Sequence, residues 1–315
     1  MGAKNEAKAP TATATAESPA TSTPATGTAT MIPPVQTPTD APAPDSTPVD
    51  APQIQLSSPV IGQGETTTIR LWNYFADSAA AFCDGRRYPL IADGSSFWGV
   101  IGAAGDAETG DHAITIDLYD VDGDVIGELA TSVTVTDMGY PVENVDLPPE
   151  VNNSLDPTLV QQETDARDAA LAQFTPQKLW DGPFIWPVPH DIIVDPFGIR
   201  RSYNGGPVNS FHMGIDIAVD EGVPIAAANN GRVAYAGFGP THGNCVLIDH
   251  GDGVFSGYSH MSQVNVQVGQ MVNKGDTIGL VGSTGMATGP HLHWEIDVRG
   301  LPVNPVEWTL EDVSP

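Results

Sequence analysis

Three short segments of this 315-residue chain carry histidines at spacings that can do chemistry. In Gly289-Pro-His-Leu-His-Trp-Glu295 the order alternates as a strand does: His291, His293 and Glu295 fall on one face, and Leu292, Trp294, Ile296 and Val298 on the other. Two imidazoles one residue apart stand about 6.5 to 7 Å from each other at strand rise, close enough to serve one metal ion or to divide into a ligand and a neighbouring base. Upstream, Phe211-His-Met-Gly-Ile-Asp-Ile-Ala-Val219 has the same period, with Met213, Ile215, Ile217 and Val219 on the apolar side and His212 and Asp216 together on the other. His260 closes another apolar and aromatic run, Gly257-Tyr-Ser-His-Met261. Imidazoles and a carboxylate gathered in this way suit a catalytic zinc site, where three protein ligands leave a position for water and lower its pKa to about 7. The spacing alone does not say which of the five side chains are ligands.

Further phrases surround these segments: Asp195-Pro-Phe-Gly-Ile-Arg-Arg201, Gly222-Val-Pro-Ile-Ala-Ala-Ala228, Gly231-Arg-Val233, Gly269-Gln-Met-Val272 and Gly282-Ser-Thr-Gly285. In order and spacing, the stretch from Phe184 to Trp308 resembles the lysostaphin-type zinc endopeptidases, the M23 or LytM family of cell-wall peptidases. The resemblance implies one Zn2+ per chain, held by His212, Asp216 and His293. It also implies that His260 and His291 flank the water the metal activates, one taking its proton and both stabilising the tetrahedral oxyanion; which of the two is the base stays open. Tyr203 and Asn204, in Arg201-Ser-Tyr-Asn-Gly-Gly206, stand where relatives carry a groove tyrosine and are expected to touch substrate. The implied reaction is hydrolysis of peptide crosslinks in bacterial peptidoglycan, with peptide stems and crosslinks as partners and the groove loops choosing among crosslinks. A non-hydrolytic wall-binding protein or amidase activator that retains the fold is the alternative, and the intact set of five side chains speaks against it. A biotin or lipoyl carrier is a third reading, suggested by Val268-Gly-Gln-Met-Val-Asn-Lys-Gly-Asp276. Lys274 there precedes a Gly-Asp turn instead of occupying a hairpin tip.

The elements that must place these groups read as mainly β. Residues 184–315 form the expected peptidase domain, with short strands between glycine turns over Gly231–Phe238, Asn244–His250, Val254–His260, Val264–Val268, Thr277–Val281 and His291–Val298. That pattern, without a helical stretch, implies antiparallel sheets folded on a groove. The loop Gly282 to Gly289 is expected in the groove wall, and it lacks the Lys-Ser/Thr ending of a phosphate cradle. Residues 53–145 alternate in Thr66-Thr-Thr-Ile-Arg-Leu-Trp72, Ala113-Ile-Thr-Ile-Asp-Leu-Tyr119 and Thr131-Ser-Val-Thr-Val-Thr136, as in an immunoglobulin-like β-sandwich of about seven strands. Asp120-Val-Asp-Gly-Asp124 reads as a hairpin turn, because the glycine is misplaced for a calcium loop. Between them, residues 146–183 form a linker with one helix from Pro157 to Phe174, N-capped by Asp156 and started by Pro157, whose Glu163, Asp165, Arg167 and Asp168 are expected on a solvated side. His112, His190, His242 and His250 are expected in loops or turns without chemistry.

Residues 1–52 are Ala, Thr, Pro and Ser with almost no large apolar side chain, a composition that predicts a disordered tether. Twelve basic residues against 39 acidic ones give a formal charge of −27, which excludes nucleic acid as a partner because phosphate binding needs a basic face. The sequence has no apolar run long enough to span a membrane. Together with the resemblance, this predicts a monomer that acts outside the cell or in its envelope, brought there by a signal or lipid anchor ahead of the tether. Cys83 and Cys245 each sit in an apolar run and are expected as buried free thiols.

Overall fold

The structure is a computed structural model; it describes residues 26–28, 51–72, 74–146 and 156–314. The tether reading concerns residues that, apart from 26–28 and 51–52, lie outside this set. Strand β1 (Thr26–Thr28) pairs antiparallel with β2 (Gln53–Leu56), so three tether residues extend a sheet edge. Pairing there is through backbone groups and needs no apolar side chain. The chain continues through β3 (Val60–Gly62), β4 (Thr66–Trp72), β5 (Ser78–Cys83), β6 (Arg86–Asp93), β7 (Ser96–Gly102), β8 (Gly110–Tyr119) and β9 (Val125–Thr136).

These nine strands form one curled sheet in the order β1-β2-β4-β7-β6-β5-β8-β9-β3. It turns over at β6, which pairs with β5 through Tyr88 and Leu90 and with β7 through Ile91 and Asp93. The two halves, β2-β4-β7-β6 and β5-β8-β9, follow the strand order of an immunoglobulin-like sandwich. Alternation explains the packing between them: Ile114, Ile116 and Leu118 of β8 point inward to meet Ile69 and Leu71 of β4, while Thr115 and Asp117 stay partly exposed. At the Asp120 turn, Oδ1 of Asp120 accepts from the backbone N–H of Asp122 and Asp124, which makes the segment the hairpin turn expected. Both cysteines are buried and free.

Strand β10 (Val142–Val145) leaves the sandwich and pairs in parallel with β12 (Arg200–Tyr203) of the second half, which follows α1 (Pro157–Leu171) and β11 (Ile193–Asp195). The helix begins as the sequence requires: the Asp156 carboxylate accepts from Thr158 N–H, and proline takes the first position. Its buried strip is Glu163, Arg167 and Ala170, which corrects the reading of Glu163 and Arg167 as solvated. The chain then runs through β13 (Val208–Phe211), β14 (Ile215–Ile217), β15 (Pro224–Ala226), β16 (Gly231–Gly239), β17 (Gly243–Gly251), β18 (Val254–Met261), β19 (Gln263–Val264), β20 (Met271–Val272), β21 (Thr277–Leu280), β22 (Leu292–Val298) and β23 (Leu301–Val303). The larger sheet has the order β11-β14-β22-β18-β17-β16-β20, with β23 beside β22, and a smaller sheet β15-β21-β19 accompanies it.

One apolar core runs through both sheets. All seven residues of β7 are buried, because its outer face is covered by the second half of the chain. Trp98 of β7 meets Trp180 edge to face at 5.9 Å, and Trp180 meets Trp308 in the same way at 6.1 Å. Gly102 leaves room for β22 and β23: a Cβ there would lie 2.9 Å from Val303 Cγ1.

The same seam carries Glu307, in the 3-10 turn Glu307–Thr309, and Glu65 around a cavity of about 640 Å³ also lined by Glu311 and Asp312. Burial first, and then the Glu65 and Glu311 carboxylates, push the Glu307 carboxyl up to about 8. The folded chain therefore keeps a proton that the unfolded chain sheds, and stability falls as pH rises from about 4.5 through about 8. Glu307→Gln removes this titration. Thermal melts are expected to show a higher unfolding temperature for the variant at about pH 9 and no difference from the parent chain at about pH 4.

Candidate metal centre

Strands β14 and β22 pair antiparallel with Asp216 directly opposite His293, which sets the carboxylate and the imidazole side by side on one face of the sheet. His212 arrives differently. The pleat expected from 211 to 219 holds only for Ile215–Ile217, and His212 sits in the bend before it, fixed by His212 N–H to Ile199 O at 2.8 Å and Gly198 N–H to His212 O at 2.9 Å. The bend passes so close to β22 that a Cβ on Gly214 would lie 2.5 Å from Trp294 O and 2.9 Å from His293 Cε1. Only glycine lets the chain through there.

The result is a triangle of donor atoms. His212 Nε2 lies 3.1 Å from His293 Nδ1, His293 Nδ1 lies 2.8 Å from Asp216 Oδ1, and His212 Nε2 lies 3.2 Å from Asp216 Oδ1. The rear nitrogens have acceptors of their own. His212 Nδ1 is 3.1 Å from the carbonyl oxygen of Pro196, and His293 Nε2 is 3.5 Å from Glu295 Oε2, so each ring can carry its proton at the back and turn the other nitrogen to a metal. In that form, the one a metal ligand must take, three lone pairs would converge on one point and repel one another unless a cation sat among them. A zinc-type donor set of two imidazole nitrogens and a carboxylate oxygen fits that demand. The same groups hold a proton when no cation is bound: burial alone would lower the His293 imidazole, yet its bonds to Asp216 and Glu295 push it up to about 9, so a metal ion must displace that proton to bind. Burial likewise opposes ionisation of Asp216, but hydrogen bonds from His212 and His293 hold its carboxyl well below the usual carboxylate range.

Two further imidazoles stand beside the triangle. The rings of His260 and His291 are 4.7 Å apart, and His291 Nε2 lies 3.8 Å from Asp216 Oδ1. Each has its Nδ1 2.8 Å from a carbonyl oxygen, Thr284 O for His260 and Gly289 O for His291, which leaves Nε2 as the free acceptor on both. Burial pushes the His260 imidazole down to about 4, so it is neutral at pH 7. Its backbone φ of +63° is left-handed, a conformation uncommon outside glycine that turns the ring out of the strand and toward His291. Asn204 occupies the turn between β12 and β13 with a φ of +52°, and Tyr203 ends β12 with its side chain outside the described residues.

Residues 210–305 match the model of peptidase family M23. Among curated proteins, the chain is 40% identical over 129 residues to the DD-carboxypeptidase/endopeptidase Mpg of Neisseria meningitidis, covering 40% of this chain and 29% of that protein. It is 44% identical over 103 residues to the peptidoglycan DD-endopeptidase ShyA of Vibrio cholerae, covering 33% of this chain and 24% of that protein. Among solved structures, a Pseudomonas aeruginosa protein assigned to peptidase M23 superposes with a TM-score of 0.58 at 26% identity, over 80% of this chain and 95% of that one. Residues 210–305 are a peptidase M23 domain. The chain spans about a quarter of the length of the curated relatives it matches.

The M23 segment holds all five side chains singled out from the sequence, His212, Asp216, His260, His291 and His293. Sequence reasoning missed the partners behind them. Glu295, Glu163, Arg167 and His242 are buried or half-buried, and the last three join α1 to the M23 sheet. Glu295 was placed on the His291 and His293 face, which was the available signal; nothing in the helix marked Glu163 and Arg167 as inward. The remaining histidines are engaged elsewhere: His250 with Asn230 O and Ser256 Oγ, His112 with Asp84, and His190 stacked on Trp186 at 4.1 Å. No described helix is long and apolar enough to cross a membrane.

Proposed function

We propose that this chain is a zinc-dependent endopeptidase that hydrolyses peptide crosslinks of bacterial peptidoglycan, with His212, Asp216 and His293 as the metal ligands. The observation that carries the reading is the convergence of two imidazole nitrogens and a carboxylate oxygen within 3.2 Å of one another, with an acceptor behind each ring and two further imidazoles beside them. Bound there, zinc polarises a carbonyl and lowers the pKa of a coordinated water to about 7. His260 and His291 divide the remaining tasks. One takes the proton from the attacking water and returns it to the leaving amine, and the other stabilises the charge that develops on the carbonyl oxygen. The β12–β13 turn with Tyr203 and Asn204 forms a groove wall that positions the peptide. The Mpg and ShyA names support the substrate class, and a place of action outside the cell or in its envelope follows from that substrate.

Purified sacculi provide the test. Chain stripped with a chelator is expected to release no peptides, and one equivalent of zinc is expected to restore release of crosslink-cleaved fragments read by mass spectrometry; Tyr203→Phe in the same assay reads the groove contact. Zinc-loaded chain that leaves sacculi intact would turn the reading to a wall-binding protein or amidase activator.

A further inference from the structure

We propose that helix α1, which lies outside the M23 segment, is an organising part of the metal centre: Arg167 acting through Glu295 orients His293, and Glu163 acting through the His242 loop orients His260. The inference rests on the metal-ligand reading above and extends it to positioning residues in the linker.

Glu163 and Arg167 stand one turn apart on α1 and are only 5% and 7% exposed. A buried charge is unfavourable unless partners compensate it. Here each has dedicated partners. Arg167 Nη2 pairs with Glu295 Oε1, while Glu295 Oε2 faces His293 Nε2 at 3.5 Å. The chain of contacts therefore runs from helix to carboxylate to the rear nitrogen of a ring whose front nitrogen belongs to the donor triangle. The space for Glu295 is built into the sheet: Gly257 lies opposite it, and a Cβ at 257 would come within 2.5 Å of Glu295 Cγ. A ligating imidazole whose rear N–H meets a carboxylate is fixed in tautomer and made more basic, and losing such a partner costs about 10- to 100-fold in metal affinity.

The second contact is separate. Glu163 accepts from Thr241 N–H at 2.8 Å, from His242 N–H at 2.9 Å, and its Oε1 lies 2.8 Å from His242 Nδ1. Glycine again makes the slot, since a Cβ on Gly239 would collide with the Glu163 carboxylate. The clasped loop then presents His242 O to His260 N–H at 2.8 Å, at the residue whose left-handed backbone turns its ring toward His291. Two carboxylates and one guanidinium thus link a linker helix to one member of the donor triangle and one flanking imidazole.

The experiment is zinc affinity of the full chain, measured by competition with a chromogenic chelator, beside thermal unfolding of the metal-free proteins. Arg167→Met and Glu295→Gln are expected to weaken zinc binding about 10- to 100-fold, and Arg167→Lys to recover part of the loss. Glu163→Ala is expected to keep zinc affinity and to lower kcat. Unchanged affinity in both Arg167→Met and Glu295→Gln, with only a lower metal-free unfolding temperature, would reduce α1 to a packing element and overturn the proposal while the metal centre stands. Should Arg167→Met not fold, the isosteric Glu295→Gln decides. A parent chain without zinc affinity overturns both this proposal and the metal-ligand reading beneath it.

Discussion

Asp216→Ala is expected to bring bound zinc from one equivalent per chain to none and to lower crosslink cleavage by roughly 10³-fold or more. Asp216 is the one anionic member of the donor triangle and touches both of the others, His293 Nδ1 at 2.8 Å and His212 Nε2 at 3.2 Å. Without it, two imidazoles remain, one ligand short of a catalytic zinc site. Zinc would supply a water with a pKa near about 7 in place of one near about 15.7, so losing its ligand would remove the nucleophile at neutral pH. The fold is expected to survive, because Asp216 is partly exposed and its neighbours Ile215 and Ile217 carry the packing of β14. Metal analysis and a cleavage assay on the same preparation check the result. A variant that kept one zinc per chain would place the ligands elsewhere.

His291→Ala separates chemistry from binding. Its Nε2 lies 3.8 Å from Asp216 Oδ1, beside the triangle but outside it, and its Nδ1 faces Gly289 O. The variant is expected to retain one zinc and to lose about 10²- to 10⁴-fold in kcat, the usual loss for a general acid–base group. His260→Ala is expected to behave alike, and the double variant to lose far less than the product of the two, because both act on one transition state. Zinc content and single-turnover cleavage on the three proteins read this directly. Loss of the metal from His291→Ala would move that residue into the ligand set.

Much of this centre was legible in residue order because a strand hides little. A period of two places Asp216 between Ile215 and Ile217, and His293 between Leu292 and Trp294, so the polar face follows from the apolar one. Register is another matter. That Asp216 falls opposite His293 depends on how β14 and β22 meet, and His212 joins them through a bend that the same period read as strand. The sandwich strands were equally clear from alternation in β4, β8 and β9, whereas the complete burial of β7 was not, since it reflects a second body against its outer face. The helix was placed by its cap and proline, but its inward face was misread. A charged side chain at helical spacing is ordinarily solvated, and the glycines at 239 and 257 that make room for Glu163 and Glu295 acquire that meaning only once the elements are assembled.

The burial of β7 on both faces also has a mechanical side. With Trp98, Trp180 and Trp308 interlocked across the seam, the sandwich and the M23 sheet share one apolar interior and have no slack between them. A hinge would have to expose those rings to water each time it opened, against the cost of wetting three large aromatic surfaces. A load applied to the outer edge of the sandwich is therefore passed to the sheet that carries Asp216 and His293, with those three rings as the lever's fulcrum.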